Sequence, residues 1–148
     1  MVSTEFEIRP SVLVGDTADV FLQRTLTILR NEGINPTVAM EFFPNRSGVL
    51  CGMKEVRGLL GKVLPEAGSE VWALEEGDMV EAKEVALRIK APYASFGLYE
   101  TTVSGILSSC SGWATAAREC VNAAGGIPVV SLAARHVHPN VAADIDYA

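Results

Sequence analysis

The run from Glu100 to Ala124 contains no proline, and Ile106, Leu107, Cys110, Trp113, Ala114, Ala117 and Val121 recur in it at spacings of one, three and four. That period predicts a long helix with one broad apolar face. Gly125-Gly126 stops it, because glycine takes the left-handed conformation of a helix end without steric cost. Ile127-Pro128-Val129-Val130-Ser131-Leu132-Ala133-Ala134 then reads as a strand that is apolar on both faces, as in parallel sheets covered by helices on both sides. Ligands in such folds bind beyond the carboxyl ends of the strands, which makes the following Arg135-His136-Val137-His138-Pro139 a candidate site. Arg135 offers a planar fork of donors suited to a carboxylate or phosphate. His136 and His138 would share a face if the strand continued, available for hydrogen bonding or metal ligation. The same three residues also suit a plain polar strand-to-loop junction.

A chain of 148 residues can bury one ordinary core, and a hydrophobic content of 49% argues against disorder. No apolar run is long enough to cross a bilayer. The formal charge of -6 and pI near 4.9 disfavour a nucleic-acid partner, whose binding depends on neutralising phosphates. The acidic start, residues 1–7, lacks the basic residues and apolar core of a signal peptide, so the expected location is the cytoplasm. Cys51, Cys110 and Cys120 are odd in number, have no metal-ligand spacing and are expected to be reduced structural thiols.

Taken in order, Asp16 or Thr17 is expected to cap a helix running to about Glu32, with Val20, Phe21, Leu26 and Leu29 on its core face and Gly33 at its end. Thr37 to Phe43 reads as a strand, Pro44 to Gly48 as a turn, and Val49-Leu50-Cys51 as a brief second strand. Met53 to Leu64 is expected to be helical although Gly58 and Gly61 weaken it. Glu70 to Leu74 and Val85 to Ile89 are strand-like on either side of an acidic turn from Glu75 to Lys83. Glu76-Gly77-Asp78 also resembles the turn of biotin- and lipoyl-carrier domains, which would make Lys83 an acceptor. Lys83 is followed by a charged residue and a strand, which does not suit that chemistry. A last helix is expected from Val141 with Asn140 as its cap. The strand from Ile127 has no visible parallel neighbour, so the sequence reads as cut off.

Several of these stretches together resemble one family. Asp16 to Thr25, Ser47-Gly48-Val49-Leu50-Cys51-Gly52, Glu76-Gly77-Asp78, Tyr99-Glu100-Thr101-Thr102 and Arg135 to Pro139 look, in that order, like the N-terminal part of a nicotinate phosphoribosyltransferase. The resemblance implies an α/β class: an α+β sandwich domain over residues 1–93, then residues 94–148 as a linking helix and the first strand of an irregular α/β barrel related to that of quinolinate phosphoribosyltransferase. It implies the reaction of nicotinate with phosphoribosyl pyrophosphate, with magnesium and coupled ATP hydrolysis, in NAD biosynthesis. It implies a homodimer with shared active sites. The fragment alone is expected to be inactive, and the pyrophosphate- and magnesium-binding residues to lie beyond Ala148.

By that resemblance Arg135 contacts the nicotinate carboxylate or a phosphate, with His136 and His138 beside it. An aromatic from an Asp-x-Tyr motif of the neighbouring subunit lies against the pyridine ring; here the motif reads Asp19-Val20-Phe21, which keeps the stacking face and loses the hydroxyl. Packing of Phe21 into the core is the other reading. Quinolinate enzymes carry Glu-Arg-Thr and Thr-Arg-Lys where this chain has Glu100-Thr101-Thr102 and Ala134-Arg135-His136. Two fewer cations favour a substrate with a single carboxylate. The family's phosphorylated histidine is assigned neither to His136 nor to His138. The alternative function is a non-catalytic module that binds a pyridine carboxylate or regulates a partner.

Overall fold

The computed structural model describes residues 7–148, so most of the acidic start lies outside the described residues. The elements, in chain order, are α1 (Pro10–Leu13), α2 (Val20–Asn31), β1 (Thr37–Phe42), β2 (Gly48–Val49), α3 (Met53–Val63), β3 (Glu70–Ala73), β4 (Met79–Val80) and β5 (Leu87–Pro92). They continue with α4 (Tyr93–Phe96), a 3-10 turn at Gly97–Tyr99, α5 (Glu100–Ala123), a second 3-10 turn at Ala133–Arg135, and α6 (Pro139–Tyr147). Helices and strands are mixed in an α+β arrangement with an open sheet, as the sequence implied.

Three strands form that sheet in the order β1-β5-β3, antiparallel throughout, with Thr37 opposite Pro92 and Glu70 opposite Lys90. Alternation along β5 sets its two faces: Leu87, Ile89 and Ala91 are buried, while Arg88 and Lys90 point outward. Outside, Arg88 pairs with Glu41 at 2.7 Å and Lys90 with Glu70 at 2.9 Å. Exposed pairs of this kind contribute at most about 1 kcal/mol each, so the inner face decides the register. It packs into one core with Met53, Val56, Leu59 and Leu60 of α3, Phe96 of α4, and Val103 and Leu107 of α5.

A second, two-stranded sheet pairs β2 with β4 and lies on α5. Backbone meets helix directly there. Val49 N–H donates to Thr115 Oγ1 at 2.9 Å, Cys51 N–H donates to Ser111 Oγ at 3.0 Å, and Val49, Cys51, Cys110 and Ala114 form a small buried cluster. Gly52 has φ +92, and a Cβ on it would stand 2.8 Å from Ile106 Cγ2 and 3.3 Å from the Ile106 carbonyl oxygen.

Several expectations change. The first long helix begins at Val20 with Asp19 at its N-cap, not at Asp16 or Thr17, and the short helix α1 precedes it. Its buried residues are Leu22 and Leu26, while Val20 and Phe21 are exposed. The acidic turn hides β4, whose Met79 and Val80 pair with β2. On α5 only Val103, Leu107, Cys110 and Ala114 are buried; Ala117 and Val121, on the expected apolar face, are exposed. The run from Ile127 forms no strand, because no parallel neighbour is present to take its backbone bonds, and Ile127 and Val130 are 73% and 77% exposed. The last helix starts at Pro139, with His138 rather than Asn140 as its cap. No described helix is long and apolar enough to cross a membrane.

Gly52→Ala should destabilise the chain by about 2 kcal/mol or more, through left-handed strain and the clash with α5. Gly58→Ala, on an open face of α3, should stabilise it by about 0.5–1 kcal/mol. Urea unfolding of both variants checks the pair.

Candidate functional site

The first group of predicted site residues stands where α2 begins. Gly15 turns the chain at φ +80 so closely against Leu98 that a Cβ would lie 2.9 Å from Leu98 Cδ1. Tyr99 then donates its hydroxyl to the Leu13 carbonyl at 2.8 Å. Asp19 N–H donates to Thr101 Oγ1 at 3.1 Å, and Thr101 Oγ1 donates in turn to Asp19 Oδ2 at 3.2 Å. The Thr17 and Thr102 hydroxyls are bonded at 3.1 Å. Asp19 occupies the N-cap of α2 yet makes no cap bond with its own helix, so its carboxylate is turned to the head of α5. Phe21, next along, is 57% exposed; it does not pack into the core.

The second group follows the tail of α5. Beyond Gly125-Gly126, residues 127–132 are exposed, and a 3-10 turn closes with Arg135 N–H donating to the Leu132 carbonyl at 3.0 Å. Arg135, His136 and His138 are all exposed, on a turn and a helix cap rather than on one face of a strand. The Arg135 guanidinium and the His136 ring have no side-chain hydrogen bond or ion pair among the described residues. His138 Nδ1 accepts from Asn140 N–H at 3.2 Å, an acceptance that calls for the tautomer with hydrogen on Nε2. That leaves an N–H facing outward as a donor. No hydrogen bond or ion pair joins this group to Asp19 or Phe21 within one chain.

Among the described residues no three His, Cys, Asp or Glu side chains gather as they would to hold an ion, so no magnesium ligands are assigned.

A cleft of about 700 Å³ lies between the turn Phe43 to Gly48 and α5, over Leu50, Val80 and Leu107. Sequence reasoning missed it. The signal was the recurrence of small residues on α5, Ser104, Ser108, Ser111, Gly112 and Thr115, at helical spacing. Ser111 and Thr115 already bind the backbone of residues 49–51, and Ser104 donates to Glu100 Oε1 at 2.9 Å.

The acidic turn acts as a clasp. Glu76 accepts from Gly52 N–H at 2.7 Å and Lys54 N–H at 3.0 Å, at the positive end of α3. Lys83, at φ 69, is bonded to Asn45 Oδ1 with its ammonium 4.9 Å from the centre of the Phe43 ring.

The three thiols are free, as expected; Cys51 and Cys110 are buried and Cys120 is exposed. Burial, with Glu76 beside it, pushes the Cys51 thiol up to about 12. Burial and the carboxylates of Glu55 and Asp144 push Cys110 up to about 11. A disulfide reagent at pH 8 should therefore titrate one thiol per native chain and three after unfolding. Because both folded values lie above the ordinary thiol value of 9.0, their contribution to stability holds below pH 9 and falls as pH rises toward 11 and 12. Rapid reaction of two or three native thiols would contradict this burial.

Residues 19–111 match the family described as "Quinolinate phosphoribosyl transferase, N-terminal domain". Among solved structures, a nicotinate-nucleotide pyrophosphorylase from Pyrococcus furiosus is 36% identical over 99% of this chain and 38% of its own, with a TM-score of 0.84. Enzymes of the same name from Francisella tularensis and Ehrlichia chaffeensis are each 16% identical, with TM-scores of 0.55 and 0.59. They cover 73% and 82% of this chain and 41% and 44% of theirs, and at that identity they show the shared fold. The chain spans less than half the length of these three structures.

Proposed function

Since the chain belongs to the quinolinate phosphoribosyl transferase family through its N-terminal domain, we propose that it is the N-terminal part of a cytoplasmic enzyme of NAD biosynthesis that joins a pyridine carboxylate to phosphoribosyl pyrophosphate. We propose further that the acid is nicotinate. In this reaction the ring nitrogen forms a bond to the anomeric carbon while the bond from that carbon to pyrophosphate breaks. The ribosyl carbon passes through an oxocarbenium-like state. Catalysis then rests on aligning the ring nitrogen and stabilising the leaving charge, with little proton transfer.

The observation that carries the nicotinate reading is the exposed Arg135 guanidinium, which has no ion-pair partner among the described residues. Its fork matches one carboxylate through two bonds. Its neighbour His136 adds a hydrogen-bonding ring where a further fixed cation would suit a second carboxylate, and His138 can donate from Nε2. Phe21, exposed at the start of α2, offers an aromatic face to a pyridine ring held in a second copy, which is the homodimer the reading requires. Magnesium and coupled ATP hydrolysis are proposed through the family resemblance alone.

In the complete enzyme, nicotinate with phosphoribosyl pyrophosphate should yield the mononucleotide at a higher kcat/KM than quinolinate does. Arg135→Ala should lower that kcat/KM by about thirtyfold or more, about 2 kcal/mol, by removing a charge-assisted bidentate contact. A preference for quinolinate would overturn the substrate; unchanged kinetics in the variant would overturn the role of Arg135.

A further inference from the structure

Four long-range hydrogen bonds hold the segment before α2 on the head of α5, yet the side chain that this segment delivers, Phe21, is left 57% exposed. Exposed single hydrogen bonds contribute little to stability, so their number here needs another reason. We propose that Thr101 is a positioning residue: its hydroxyl fixes Asp19 and thereby aims Phe21 at the pyridine ring of a substrate bound in a second copy of the chain. The inference rests on the function proposed above and adds to it a device within this chain.

The geometry is specific to one hydroxyl. Thr101 Oγ1 accepts from the backbone N–H of Asp19 and donates to the carboxylate of the same residue, so both the chain and the side chain of Asp19 are set by one atom. A carboxylate at an N-cap ordinarily binds backbone N–H groups of its own helix. Asp19 makes no such bond, so the direction in which α2 leaves the turn depends on α5 instead. Thr17 with Thr102 and Leu13 with Tyr99 repeat the attachment on the N-terminal side, and the close approach of Gly15 to Leu98 removes slack from the turn. Phe21 lies within the first turn of α2 after Asp19, and Thr25 Oγ1 donates to its carbonyl at 2.9 Å. Its backbone is therefore held from both ends. Thr101 itself, with its hydroxyl committed twice, is occupied by Asp19 and not offered to the substrate.

Steady-state kinetics of the complete enzyme with the pyridine acid tests this. Thr101→Val keeps the shape and removes the hydroxyl; it should raise KM for the acid about tenfold while kcat changes less than about twofold, and Thr101→Ser should restore KM. Phe21→Ala should raise KM by a similar factor, and the double variant should be no worse than Phe21→Ala alone, since an aim without an aromatic has no effect. A raised KM in Phe21→Ala with none in Thr101→Val, or an additive double variant, would overturn the positioning role alone. An unchanged KM in Phe21→Ala would overturn the placement of Phe21 in the site, and the inference with it. If Thr101→Val unfolds, Thr101→Ala and Asp19→Asn, which alter the same bonds differently, supply the comparison; normal KM in both would overturn the proposal.

Discussion

Strand β2 rests on α5 with almost no side-chain layer between them, and this contact orders much of what surrounds it. A two-residue strand paired only with β4 would leave backbone groups unsatisfied along its other edge. Ser111 and Thr115 supply hydroxyls there, accepting from Cys51 and Val49. The approach is possible because Gly48 and Gly52 carry no Cβ: one on Gly48 would fall 2.5 Å from Thr115 Oγ1. Once β2 is seated, the turn after it starts α3 against the core, and the turn before it forms one wall of the cleft over α5.

The two groups named from the sequence differ in how they are held. At the start of α2 the segment is bonded repeatedly to α5, and the aromatic it delivers is open to solvent. At Arg135 the charged fork stands on a short turn between exposed apolar residues and α6. In the reaction proposed above, Arg135 would grip the carboxylate of the ring and Phe21 would cover its face. Within one chain no hydrogen bond or ion pair joins the two groups.

Elements whose order is set by local chemistry could be read from the sequence. Proline-free spacing marked α5 to within a residue at its tail, Gly33 bounded α2 closely, and the span read from Met53 to Leu64 matched α3 to within a residue. Features set by tertiary partners could not. The faces of α2 depended on what lay opposite, so Leu22 was missed and Phe21 was open to two readings. β4 hid inside an acidic turn because two residues have no period, and only β2 across from them makes them a strand. The run from Ile127 has strand-forming composition, yet composition supplies no partner for its backbone. Of the candidate site, the residue types were legible; the two hydrogen bonds between Thr101 and Asp19 span 82 positions and leave no local trace.

Glu76 has a consequence for how the molecule comes apart. One carboxylate reaches from the turn between β3 and β4 to two amides at the opening turn of α3, so neither piece can fray without releasing the other. Helix and turn are thereby tied into one cooperative block, and a local fluctuation in either is suppressed until the block opens as a whole.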